Sequence, residues 1–291
     1  MRLFSGLLVA LQIGRSSVEA QVIGDLRLQE LQSEVFGNTR TLRVLIPPGY
    51  DAPANRDRRY PVLYLNDGQN LFDSATAIFN PMEWRVDETV DSLVRAGAIA
   101  PLIVVGIDNA GRRGRAHEYL PYPDEYLSPP EPDPQGRRYP EFLAAEVIPF
   151  VNSHYRTLTG PEHTALGGSS YGALIATYSV IARPGVFGLL LVESPSFYVD
   201  SSRILTEAAL VRSWPARVFL GVGTNEGGRP SCDPNEPGTP DIVQQVERLQ
   251  GIITRAQPSS LVEIVVTPCA VHNEKAWAAR LPAALAFLYR R

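Results

Sequence analysis

Basic charge does not dominate this chain. Lys and Arg total 27 against 31 Asp and Glu, giving a formal net charge of −4 and a pI near 5.7. That balance argues against a nucleic-acid binder, whose footprint is a basic excess, so no nucleic-acid partner is expected. Cysteine is scarcer still. Two residues cannot build a disulfide-dense scaffold or a four-thiolate zinc site. No segment beyond the N-terminus holds 18 uncharged apolar residues, so no membrane span is expected. There is no H-E-x-x-H, no P-loop and no G-x-G-x-x-G in a dinucleotide-binding context, and no metal or organic cofactor is expected.

Other features are ordinary. The 291 residues include 23 Gly and 25 Pro, which excludes collagen-like or low-complexity protein. Hydrophobic residues make up 44% and charged residues 20%, enough apolar surface to form a core. No internal repeat or linker divides the chain. Residues 3–13 are an apolar run behind Met1-Arg2, the length of a signal-peptide core, and Val18-Glu19-Ala20 precedes Gln21. Residues 1–20 therefore read as a secretory signal and 21–291 as one α/β domain, secreted or periplasmic; without export the protein would be cytoplasmic.

Residues 26–35 and 41–46 alternate in the strand manner and read as antiparallel edge strands. Residues 61–65, 101–107, 187–192, 218–222 and 261–266 are short apolar runs, as expected of strands buried on both faces. Helical spacing covers 139–155, 173–181, 241–254 and 274–289. Strands alternating with helices predict a mostly parallel sheet with helices on both faces. The longest loop, 120–138, is rich in Pro and acidic residues and reads as a lid or binding loop.

The chemistry centres on Gly168-Ser169-Ser170-Tyr171-Gly172. This G-x-S-x-G follows a strand and precedes a helix, the context of a nucleophile elbow with Ser170 as nucleophile. A serine hydroxyl needs a base. Of the four histidines, His272 lies beyond the last strand and before the last helix, at the same carboxyl edge as Ser170. His117 falls in a polar loop, His154 at a surface helix end and His163 at the opposite edge. Glu226 follows the penultimate strand and is the expected acid, with Asp233 and Asp200 as alternatives. The order Ser170, Glu226, His272 is the α/β-hydrolase order of nucleophile, acid and base.

Tyr64–Asp73 (YLNDGQNLFD), Val105–Tyr122 (VGIDNAG…EYLPY), Leu166–Leu174 (LGGSSYGAL), Ser194–Tyr198 (SPSFY), Gly223–Glu226 (GTNE) and Val271–Trp277 (VHNEKAW) resemble the putative-esterase family. That family includes enterochelin-type siderophore esterases, feruloyl and acetylxylan esterases, esterase D and mycolyltransferases. The resemblance runs from about residue 40 onward and implies an α/β-hydrolase fold, a Ser170-Glu226-His272 triad and a serine carboxylic ester hydrolase working through an acyl-enzyme. The family varies between Asp and Glu at the acid. The resemblance also implies an oxyanion hole from the backbone N–H groups of Gln69 and Tyr171. Substrates of the family class are acyl esters, feruloyl or acetyl polysaccharides and siderophore esters, small-molecule or polysaccharide in nature. The motifs do not specify which, nor the oligomeric state. An acyltransferase on the same triad, a serine peptidase and an inactive hydrolase-fold binding protein are the competing readings.

Trp84 and Tyr198 are candidates to line the substrate pocket or to pack in the core. Arg112, Arg113 and Arg115 form a basic run, read as a solvated loop, with reception of an anionic substrate as the alternative. Cys232 lies six residues after Glu226 and Cys269 three before His272. Both loops are expected at one sheet edge, so in an oxidising compartment the two thiols are expected to pair. Thiol titration of the folded, unreduced protein should find no free thiol, and two only after reduction under denaturing conditions; two free thiols without reductant would exclude the bridge.

Overall fold

The computed structural model describes residues 22–232 and 242–290. The signal segment read from residues 1–20 lies outside them. Eight strands form one sheet in the order β1-β2-β4-β3-β5-β6-β7-β8. They are β1 Asp25–Ser33, β2 Asn38–Ile46, β3 Val62–Asn66, β4 Ile103–Ile107, β5 Thr164–Ser169, β6 Leu189–Glu193, β7 Arg217–Gly223 and β8 Leu261–Thr267. β1 pairs antiparallel with β2, and β2 antiparallel with β4; every later pairing is parallel. This is the expected sheet, antiparallel only at its N-terminal edge.

The helices are α1 Val86–Arg95, α2 Gly111–Tyr119, α3 Tyr139–Glu141, α4 Ile148–His154, α5 Tyr171–Ala182, α6 Val199–Ala208, α7 Ile242–Ala256 and α8 Glu274–Tyr289, with a π-helical segment Phe142–Val147 joining α3 to α4. The central strands β3 to β6 are buried along their whole length. Their side chains alternate between two cores. Val62 and Tyr64 join the one that also holds α5, α6 and α7; Leu63 and Leu65 join the one capped by α1 and α8. Apolar residues at every position of these strands follow from having a core on each side.

Three helices were not read from the sequence: α1, α2 and α6. α2 carries Arg112, Arg113 and Arg115, so the basic run is helical rather than a loop, and His117 lies on the same helix. Its composition is too polar for an apolar stripe, and its residues are placed by ion pairs instead. The first turn of α6 contains Asp200, Ser201 and Ser202, all at positive φ, which no propensity argument foresees.

β5 runs straight into the elbow. Ser170 sits at φ 57°, ψ −127°, and its N–H is held by the carbonyl of Glu193 at 3.0 Å. This turn is tight enough that a Cβ on Gly168 would lie 2.7 Å from the backbone carbonyl of Gly172, and a Cβ on Gly172 would lie 2.9 Å from Asp67 Oδ2. Backbone cannot move aside as a flexible side chain can. Gly168→Ala should therefore destabilise the fold by about 1–3 kcal/mol, read as a lower urea midpoint at unchanged m-value; a wild-type midpoint would contradict the tight turn.

Candidate active site

Parallel register brings three strand ends together. Glu193 stands beside Gly221, and Gly223 beside Thr267, so the chain leaving β6, β7 and β8 emerges at one edge, next to the elbow after β5. Glu226 lies in the turn after β7. Its Oε2 accepts a 2.7 Å hydrogen bond from His272 Nδ1, and its Oε1 accepts from the Gly223 N–H at 2.6 Å and the Ser194 hydroxyl at 2.7 Å. Burial alone would raise this carboxyl. The bonds from His272, Ser194 and Gly223, with the attraction of the imidazole, outweigh it and hold the group below its ordinary value of 4.5. An ionised carboxylate only accepts, so His272 Nδ1 carries the proton and Nε2 is the basic nitrogen.

Ser170 and His272 line the same two cavities. The larger, about 750 Å³, is also lined by Tyr126, Ser196, Tyr198 and Glu226. The smaller, about 200 Å³, is also lined by Trp84, Arg115, Glu274 and Trp277. The Ser170 hydroxyl contacts Ser196 Oγ at 3.4 Å, and among the described residues no hydrogen bond joins it to His272. Catalytic hydrogen bonds of ligand-free enzymes are commonly long and tighten when substrate binds. A third cavity, about 680 Å³ and lined by Glu88, Lys275 and Pro282, contains none of these residues.

The other expected residues are placed as follows. The Tyr171 N–H is at the start of α5, where a helix has donors without intrahelical acceptors. Gln69 lies in a 3₁₀ turn, Gly68–Asn70, after β3. Its side chain is engaged with Asn109, donating to that residue's carbonyl and accepting from its N–H, both at 3.0 Å. Trp84 is 2% exposed and packs on Trp277 with ring centroids 5.6 Å apart, so it is chiefly a core residue at the floor of the smaller cavity. Tyr198 is 38% exposed, on the wall of the larger cavity, edge-on to Tyr126. Of the alternative acids, Asp200 pairs with Arg203 and Asp233 lies outside the described residues. His117, His154 and His163 line neither cavity. Cys232 and Cys269 form a disulfide that joins the chain after Glu226 to the chain before His272.

Sequence reasoning missed several neighbours. Arg115 is not solvated. It forms a two-pronged pair with Asp67, 2.7 Å on each arm, and faces the rings of Phe79, Tyr119 and Tyr171. Burial opposes its charge, but the Asp67 carboxylate prevails and raises the guanidinium above its ordinary value. The pair is neutral as a unit, which removes Arg115 as a free receptor for an anion. The long loop is latched to the elbow helix, because buried Asp124 accepts from the Tyr171 hydroxyl. A sequence signal existed for neither contact, since both partners are distant along the chain.

A tight strand-turn-helix elbow at the carboxyl end of a mostly parallel sheet, with Ser170 half-buried at its apex and a histidine held by a carboxylate lining the same cavities, is the arrangement of an α/β-hydrolase. The chain belongs to the Putative esterase family, whose model matches residues 33–288, and is a carboxylic ester hydrolase by that membership. It is 24% identical over 197 residues to the uncharacterized protein YbbA of Bacillus subtilis, covering 67% of this chain and 72% of that one. It is 32% identical over 157 residues to the siderophore enterobactin esterase of Emericella nidulans, covering 50% of this chain and 49% of that protein. The match thus spans about half the length of that esterase. Among solved structures, the siderophore hydrolase EstB of Aspergillus nidulans superposes with a TM-score of 0.71 at 18% identity, covering 99% of this chain and 98% of that one. The enterobactin esterase FES of Shigella flexneri gives 0.69 at 19% identity, covering 96% and 62%. These structural likenesses establish the fold. No helix among the described residues is long and apolar enough to cross a membrane.

The lowered Glu226 carboxyl makes stability depend on pH. A carboxyl that titrates lower folded than unfolded stabilises fully above the unfolded value, and that contribution is lost as pH falls through the lowered folded value. The stability advantage of wild type over Glu226→Gln, measured by urea denaturation, should be constant near neutrality and shrink below about pH 4.5. An advantage that grows on acidification would reverse the sign.

Proposed function

We propose that this esterase cleaves its substrate through an acyl-enzyme on Ser170, with His272 as general base and acid and Glu226 as the acid of the triad. The observation that carries the reading is the 2.7 Å bond from His272 Nδ1 to Glu226, in a ring that shares both cavities with the elbow serine. Ser170 Oγ attacks the ester carbonyl while His272 Nε2 takes its proton. The oxygen that becomes negative is held by the N–H groups of Tyr171 and Gln69. One such donor is typically worth about 3–4 kcal/mol of barrier. His272 then protonates the departing alcohol. Water attacks the acyl-enzyme, giving its proton back through His272, and the carboxylic acid leaves with Ser170 regenerated. Glu226 keeps the imidazole oriented and stabilises its charged form, without itself taking the proton.

The substrate side of the reading is a small-molecule ester of the siderophore or aryl-acyl kind. The relatives named as enterobactin esterases support it, as does the exposed Tyr126–Tyr198 pair on the wall of the larger cavity, where an aromatic group can stack. Export from the cytoplasm, with removal of residues 1–20, fits the Cys232–Cys269 disulfide, since such bonds persist in oxidising compartments. Residues 21–291 then form the mature hydrolase domain.

Wild-type protein should hydrolyse a short-chain p-nitrophenyl ester, and Ser170→Ala should lose at least about 10³-fold in kcat. Brief incubation of wild type with a slowly released acyl ester should add one acyl mass to the peptide containing Ser170. Full activity in Ser170→Ala would overturn the proposal.

A further inference from the structure

We infer that Ser194 is the positioning residue that fixes the triad carboxylate, through a hydroxyl whose proton has only one place to go. The inference rests on the Ser170-His272-Glu226 reading and assigns a role to a residue outside it. Ser194 is fully buried at the end of β6, and lines neither of the two cavities that hold Ser170. Its Oγ has three neighbours: Glu226 Oε1 at 2.7 Å, Trp277 Nε1 at 2.9 Å and Arg280 Nη2 at 3.3 Å. An indole N–H and a guanidinium can only donate, so they occupy the two lone pairs of the hydroxyl. The single O–H must therefore point at Glu226. In most serines the hydroxyl rotates to suit its surroundings; here the donors behind it fix the direction.

Those donors are themselves fixed. Arg280 is pinned by a buried pair with Glu193, 2.8 Å from its Nε and 2.7 Å from its Nη2, and by Thr267 Oγ1 at 3.3 Å. Trp277 packs edge-on against the His272 ring, with centroids 5.2 Å apart. The chain Glu193, Arg280, Ser194, Glu226, His272 thus runs from the ends of β6 and β8 and from α8 into the base. Its consequence is a division of labour on one carboxylate. Ser194 and the Gly223 N–H occupy Oε1, which leaves Oε2 directed at His272. Without Ser194, Oε1 keeps one bond, the carboxylate can swing, and its negative charge is less well stabilised.

The experiment compares wild type with Ser194→Ala and Ser194→Gly. The second variant guards against misfolding, because Ser194 sits at φ 43°, a conformation glycine adopts without strain. Both should melt cooperatively and lose about tenfold or more in kcat with little change in KM. Both should also move the acid limb of the pH profile upward. The Ser194 hydroxyl donates one of the bonds that hold the Glu226 carboxyl low, and removing it raises that group. In a Glu226→Ala background the Ser194 substitutions should cost almost nothing further, since the residue acts through that carboxylate. Independently of turnover, the low-field proton resonance of His272 Nδ1 should shift or broaden in both variants. Unchanged pH profile and resonance, or losses that multiply with Glu226→Ala, would overturn the inference. A shifted resonance in a protein whose wild type hydrolyses no ester would leave the grip of Ser194 on Glu226 standing and overturn the esterase reading instead.

Discussion

Three hydrogen bonds to one carboxylate depend on the register of the whole parallel half of the sheet. Glu226 is reached by Gly223 from its own strand end, by Ser194 from the end of β6 and by His272 from the loop after β8. A slip of one residue between β6 and β7, or between β7 and β8, would turn the donors to the opposite face. The two cores resist that slip, because Leu190, Val192, Val218, Leu220 and Val222 belong to one of them and Leu189, Leu191 and Phe219 to the other. The site is precise because it stands on strand ends whose register the interior enforces, and its loops contribute only the last few residues of reach.

The elbow stores strain that this packing must hold. Ser170 is a non-glycine residue at positive φ, a conformation that costs of order 1–3 kcal/mol. Its N–H is tied to the Glu193 carbonyl, and its own carbonyl receives the N–H groups of Ala173, Leu174 and Ser196. The strained residue is thus fixed on both sides by backbone, and its hydroxyl is presented toward the cavities rather than into either core. The same Glu193 holds Arg280 with its side chain, so one residue at the end of β6 anchors Ser170 through its backbone and, by way of Arg280 and Ser194, Glu226 through its carboxylate.

Much of this was legible in the sequence, for reasons that differ by element. The buried strands announced themselves as short apolar runs, and Gly168 and Gly172 marked a turn that other residues cannot make. Ser170, Glu226 and His272 could be grouped because each follows a strand, and parallel strands end at one edge. What could not be read was whatever depends on contact between distant side chains. Arg115 looked like part of a solvated run, yet its partner is Asp67, 48 positions earlier. Ser194 stood only as part of a family-like segment with no role of its own, because its meaning comes from Trp277 and Arg280, more than 80 positions away. α2 and α6 were missed because ion pairs and a left-handed start, rather than an apolar stripe, place them.

The choice of glutamate over aspartate follows from the geometry of its turn. Glu226 must satisfy Gly223, three residues back in its own turn, and His272, 46 residues ahead across the cleft. The carboxylate therefore has to fold back over the turn with one oxygen and still extend toward the cleft with the other. An aspartate is shorter by one C–C bond, roughly 1.5 Å. From the same Cα it could keep the inner bond and fall short of the imidazole, or reach outward and abandon Gly223 and Ser194. Holding both demands the extra methylene, unless the backbone of residues 223–226 takes another path. That path is closed by the Asn225 N–H, bound to the Ala270 carbonyl at 3.1 Å, and by the Thr224 N–H, bound to the Thr267 carbonyl at 3.1 Å. The disulfide from Cys232 to Cys269 adds a covalent tie between the same two segments. In this chain the length of the side chain at 226 is set by how firmly the loop after β7 and the loop after β8 are already joined.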